Sequence, residues 1–203
     1  MFAELTTRIG FVAIVETGTH HGTTTAHFGR TTELPIHSFE TNPFAYGFAV
    51  EHLRDLPNVH LQLGDSRAGL RRLASARVLP PGRVFFYLDA HHWLDELPLA
   101  EEVALAFRHW PDAVVMIDDF AVPDDPGYGF DDYGAGSALT LDYLVGHDIL
   151  PVGVWFPRCA ASTETGEQRG CVLLARAARV VREIDALETL RRWEPTAHRR
   201  AGP

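Results

Sequence analysis

Short apolar runs alternate with amphipathic stretches almost from the first residue of the chain. FVAIVE (11–16), PIHSFE (35–40), NVHLQLGD (58–65), RVFFYLD (83–89) and AVVMIDD (113–119) read as strands. Between them, GTTTAHFGR (22–30), PFAYGFAVEHLRDL (43–56), SRAGLRRLA (66–74) and PLAEEVALAFRHW (98–110) read as helices. Phe44, Phe48, Val50 and Leu53 carry the apolar spacing of the second helix, Ser66 caps the third, and Pro98 stands near the start of the fourth. Strands that are continuously hydrophobic and separated by helices predict a mostly parallel sheet covered on both faces. That is the doubly wound α/β class.

The pattern changes towards the end. After a helix around 137–146, PVGVWF (151–156) and GCVLLARA (170–177) are joined by a polar stretch with no helical spacing, which predicts an antiparallel hairpin. VVREIDALETLRRW (180–193) reads as a final helix. The expected organisation is one domain over 1–203, with a long Gly/Pro/Asp-rich loop at 121–136 and a C-terminal helix and tail at 178–203. In that loop Tyr128, Phe130 and Tyr133 are placed to close over a ligand and Asp131 or Asp132 to bind it or act as base, although a plain connector would look the same.

Composition narrows the function. The chain has 203 residues, 46% hydrophobic and 22% charged, with a formal net charge of -9. An acidic chain lacks the basic footprint of a general nucleic-acid binder, and the basic RRWEPTAHRR segment reads as a solvated tail. All cations are arginines, so lysine is excluded as a catalytic base. Two cysteines, Cys159 and Cys171, are too few for a disulfide framework; with no signal sequence and no membrane-length apolar run, a cytoplasmic protein with no membrane partner is expected.

Candidate chemistry gathers at the strand ends. Glu16, Glu40, Asp65, Asp89, and then Asp118 and Asp119, stand at the carboxyl ends of five consecutive strands, where open α/β sheets bind ligands. One such acid is commonly a helix cap; six on one rim form a pattern, because buried carboxylates are costly without partners. An adenosyl group bearing an amino acid would give each a task. In VETGTHHGTTT (15–25), Gly18 and Gly22 would bring backbone N–H groups to the ligand at a helix N-terminus, beside Thr19, and Thr23 or Thr24 would donate to its carboxylate. Glu40 would accept both ribose hydroxyls; Asp65, next to Ser66, would accept from the adenine amine. His20 and His21 either line this pocket or are plain loop residues.

ETGTHHGTTT, followed by FE, GDS, FFYLDAHHW and VVMIDDF, resembles the class I S-adenosylmethionine-dependent methyltransferases over roughly residues 10–177. The terminal hairpin is part of that resemblance and sets it apart from NAD-binding domains. Within the class the chain is similar to the small metal-dependent O-methyltransferases, the catechol and macrolide-sugar types. The resemblance implies S-adenosylmethionine as cofactor, Asp89, Asp118 and Asp119 as ligands of Mg²⁺ (or Mn²⁺), and a small hydroxylated acceptor. The chain departs from the pattern in two ways. The lysine expected shortly after the metal aspartate is missing, which makes His91 and His92 the candidate bases beside Asp89. The N-terminal helices that roof the acceptor site are also almost absent, which a homodimer would remedy.

Two rival readings remain at this stage. LDAHHW is similar to the Asp-Ala-His run of arginase-like metal hydrolases, although their Asp-x-Asp and Gly-x-Asp-His elements are missing. The fold would also serve a non-catalytic S-adenosylmethionine-binding subunit, for which three carboxylates beside a sulfonium have no use.

Overall fold

The computed structural model describes residues 1–90, 97–134, 136–151 and 153–194. The five expected strands form as β1 (Ala13–Thr17), β2 (Ile36–Glu40), β3 (Val59–Leu63), β4 (Val84–Leu88) and β5 (Val114–Ile117). They alternate with α2 (Thr23–Thr31), α3 (Pro43–Leu53), α4 (Ser66–Ser75) and α5 (Leu99–His109). Four of the five strands are buried along their whole length, as a sheet covered on both faces requires. The eight-stranded sheet runs β3-β2-β1-β4-β5-β7-β6-β8, parallel from β3 through β5. β6 (Gly153–Pro157) and β7 (Val172–Ala175) form the expected antiparallel pair, with β7 inserted between β5 and β6. β1 sits between β2 and β4, so strand order reverses beside it, and ligand crevices open at such a point.

Four details depart from the sequence reading. An additional helix, α1 (Phe2–Ile9), precedes the first strand and buries Leu5 and Ile9. The helix expected at 137–146 is confined to α6 (Leu141–Gly146). The helix expected over 180–193 ends as α7 (Ala178–Ile184), and Leu190–Arg192 form β8 on the open edge of β6. Asp185 stops that helix next to the indole of Trp155, whose N–H it accepts at 2.9 Å. A bare β6 edge would expose a row of unpaired backbone groups, which β8 covers.

The fourth departure concerns α3. Phe44, Phe48 and Val50 face solvent; the buried face is Ala45, Ala49 and Leu53. Asn42 caps the helix by accepting from the N–H groups of Phe44 and Ala45, which fixes its rotation. The small alanine face then allows a close approach to Ala26 and the α2 side.

Candidate active site

The residues at the ends of β1, β2 and β4 are tied together before any ligand is considered. The N–H groups of Gly18 and Thr19 both donate to the Phe39 carbonyl, and the N–H of Asp89 donates to Thr17. Gly18 has φ 83°, and a Cβ there would stand 2.3 Å from the carbonyl oxygen of Asp89. Only glycine satisfies both the backbone angle and this approach. The N–H groups of the two glycines themselves are engaged within the protein, Gly18 on the Phe39 carbonyl of β2 and Gly22 on the Thr19 carbonyl.

A cleft of about 510 Å³ opens at this switch point. Of the residues expected to hold a cofactor, it is lined by Gly18, Glu40, Asp65, Ser66 and Asp89. The Glu40 carboxylate accepts from the backbone N–H of His20 at 2.6 Å and of Asn42 at 2.7 Å, and a carboxylate retains further lone pairs beyond these two bonds. Asp65 caps α4 by accepting from Ala68, and pairing with Arg67 holds its pKa below the usual carboxylate range. Ser66 is turned inward, its hydroxyl donating to the buried Glu102.

The other expected cofactor residues lie outside the cleft lining. Glu16 is buried under the loop, accepting from the hydroxyls of Thr25 and Ser38; burial outweighs both bonds and pushes its pKa up to about 7. Thr19 shares a hydroxyl–hydroxyl bond of 2.6 Å with Ser38. Thr23 is exposed, and Thr24 lines a different cavity. Thr25 and Ser38 escaped the sequence reading because a hydroxyl inside a helix or strand carries no local signal of a buried acid facing it.

A half-buried carboxylate cluster stands at the ends of β4 and β5. Burial pushes the pKa of Asp89 up to about 9, reinforced by the negative charges of Asp118, Asp119, Glu16 and Asp131. Asp118 is also raised, mainly by burial, although the hydroxyl of Tyr87 donates to it. Asp119 adopts a left-handed φ of 51°, which sends its carboxylate away to the guanidinium of Arg169. Arg169 also binds Asp131, from the loop expected at 121–136. That loop is stitched along the sheet by the N–H of Asp131 donating to Asp119, and the N–H of Gly129 donating to Gln168.

The three aspartates expected to hold a metal thus share one neighbourhood but not one orientation. Among the described residues, no group of three His, Cys, Asp or Glu side chains has the arrangement of a metal site. Asp89 and Asp118, close enough for the charge of Asp118 to raise the pKa of Asp89, offer oxygen donors that, once deprotonated, suit Mg²⁺, which takes one or two carboxylates and keeps several waters. His91 and His92, the candidate bases, lie outside the described residues. Tyr87 and Arg169 were missed in sequence, since their partners are 31 and 50 positions away.

No protein-family model matches the chain, and no curated protein matches it. Solved structures do share its fold. One is an O-methyltransferase from Bacillus cereus in complex with SAH, at 15% identity and a TM-score of 0.56, covering 85% of this chain and 77% of that one. Another is the glycopeptide N-methyltransferase MtfA complexed with sinefungin, at 15% identity and a TM-score of 0.54, covering 86% and 85%. A third, EvdMO1, is 19% identical with a TM-score of 0.52; the match covers 88% of this chain but 40% of that one. The chain shares the α/β fold of the O-methyltransferase and of MtfA, and its own sheet ends in antiparallel strands.

Proposed function

We propose that the chain transfers the methyl group of S-adenosylmethionine to a hydroxyl of a small-molecule acceptor. The observation that carries this reading is the position of the cleft. It lies at the strand-order reversal, bounded by Gly18, Glu40 and Asp65, and ends at the half-buried Asp89. Its volume is in the range of small-molecule and cofactor sites.

In this reading Glu40, held by two backbone N–H groups, accepts the ribose hydroxyls, and Asp65 lies at the adenine end. Gly18 and Asp89, in backbone contact, form the wall at the reacting end. When bound, S-adenosylmethionine supplies an electrophilic methyl group, and a divalent cation supplies a Lewis acid for the acceptor hydroxyl. Asp89 and Asp118 are the residues that would hold Mg²⁺ or Mn²⁺, with Asp119 recruited only if it leaves Arg169. The acceptor oxygen forms its bond to the methyl carbon as the carbon–sulfur bond breaks, the electron pair going to sulfur. The hydroxyl proton passes to a base, for which His91 and His92 are proposed because they follow Asp89 directly in the chain after Ala90. Most of the acceleration comes from alignment of the two reactants and from the charge arranged around them.

Calorimetric titration of S-adenosylhomocysteine, first in EDTA and then with Mg²⁺, tests this on the wild type and on Asp89→Ala. The expected result is cofactor binding plus a separate Mg²⁺ signal that Asp89→Ala abolishes. Cofactor binding with no Mg²⁺ signal removes the metal and keeps the transferase. Absence of cofactor binding under both conditions overturns the proposal.

A further inference from the structure

The cofactor cleft takes in Asp89; a second cavity, of about 590 Å³, takes in its neighbour Asp118 together with Tyr87. The two hollows therefore reach adjacent strand ends, β4 and β5, where the N–H of Asp118 donates to Leu88. The deep surface of the second cavity is apolar: Phe2, Phe28, Met116 and Cys171 line it, and Phe2 packs on Phe28 with ring centroids 4.5 Å apart. Its outer wall carries three exposed carboxylates, Glu164, Glu167 and Glu188. The two arginines on the same wall are occupied. Arg158 donates to the main-chain carbonyls of Glu188 and Leu190, and Arg169 binds Asp119 and Asp131. Among the described residues, no arginine is paired with Glu164, Glu167 or Glu188.

We propose that this second cavity receives the methyl acceptor and selects an amphipathic one, an apolar ring-bearing hydroxyl compound that also carries a protonated amine. The inference rests on the methyltransferase reading and goes beyond it by naming the cavity and the acceptor's chemical class. The apolar floor takes the ring out of water, while the carboxylate wall attracts the ammonium and disfavours an acid. The hydroxyl is thereby directed to the end of the cavity occupied by Tyr87 and Asp118. A free sugar, polar on every face, would leave the Phe28 and Met116 surface poorly used.

The test compares tyramine with 4-ethylphenol, which has a similar ring and hydroxyl but no amine. Both are titrated into the protein saturated with S-adenosylhomocysteine. Tyramine should bind about two- to fivefold tighter, the advantage that one exposed ion pair supplies. The triple variant Glu164→Gln, Glu167→Gln, Glu188→Gln should erase that difference while binding S-adenosylhomocysteine as the wild type does. Location is read independently: Cys159 is exposed on the cavity wall, so bound tyramine should slow its alkylation by N-ethylmaleimide. Equal binding of the two probes, binding of neither, or an unchanged alkylation rate overturns the inference even if S-adenosylhomocysteine binds. If S-adenosylhomocysteine also fails to bind, the methyltransferase reading falls with it.

Discussion

The guanidinium of Arg169 grips the carboxylate of Asp119, joining the approach to β7 to the exit of β5 across 50 positions of sequence. A second N–H of the same group holds Asp131, so one side chain fixes the loop beyond β5 against the sheet. Replacing Arg169 with Ala leaves two partly buried carboxylates facing each other. A loss of about 1–3 kcal/mol in folding stability is expected, read by thermal or urea unfolding. Amide exchange at 128–134 should accelerate more than in the core strands; a uniform change across the sheet would contradict the stitching role.

Gly18 and Gly47 make a matched pair. At Gly18, with φ 83° and the Asp89 carbonyl 2.3 Å from any added Cβ, alanine forces backbone apart; roughly 3 kcal/mol of stability should be lost, along with S-adenosylhomocysteine binding. Gly47 lies on the exposed side of α3 with nothing within 4 Å of an added Cβ. Gly47→Ala should stabilise by about 0.5–1 kcal/mol, because alanine loses less conformational freedom in a helix. The two melting curves, displaced in opposite directions, check both claims.

Glu102 gives a pH prediction. Burial pushes its pKa from 4.5 up to about 7, although it accepts from the hydroxyl of Ser66. An acid raised in the folded state binds more protons there than in the unfolded chain. Its contribution is therefore fully present below pH 4.5 and is lost as pH rises through about 7. Glu102→Gln keeps the acceptor for Ser66 and cannot ionise. The variant should match the wild type near pH 4.5 and exceed it by about 1–3 kcal/mol at pH 8, measured by urea unfolding at both values. Parallel pH profiles would show that Glu102 does not titrate in this window.

Glu4 has the opposite sign. Its carboxylate accepts from the N–H groups of Glu188 and Thr189 and from the Thr189 hydroxyl, and these bonds hold its pKa down at about 2. The contribution is present above pH 4.5 and disappears as pH falls towards 2. Glu4→Ala should release α1 from the 188–189 segment, seen as faster amide exchange over residues 2–9 at neutral pH. Unchanged protection there would mean that Leu5 and Ile9 hold the helix without this latch.

Much of the architecture is legible in the sequence, because β1, β2, β4 and β5 are buried strands whose apolar runs need no knowledge of their neighbours. The acids at their ends are legible for the same reason: a carboxylate directly after an apolar run marks where the chain leaves the sheet. The runs failed where a local pattern admits two burial solutions. In α3, Phe44 and Phe48 have the spacing of a core face, yet Ala45 and Ala49 are the residues buried. In 180–193 helical spacing persists, yet the open edge of β6 takes Leu190–Arg192 as a strand.

What the sequence by itself determined is therefore the doubly wound sheet and the rim on which Glu40, Asp65, Asp89 and Asp118 stand, since both follow from periodicity along the chain. Only the tertiary structure decided where the acids point. It turned Asp119 to Arg169, buried Glu16 beneath Thr25 and Ser38, and spent the Gly18 N–H on Phe39. Hydrogen bonds and charge pairs of that kind join residues far apart in the chain, and no pattern of neighbours along a sequence records which partner will arrive.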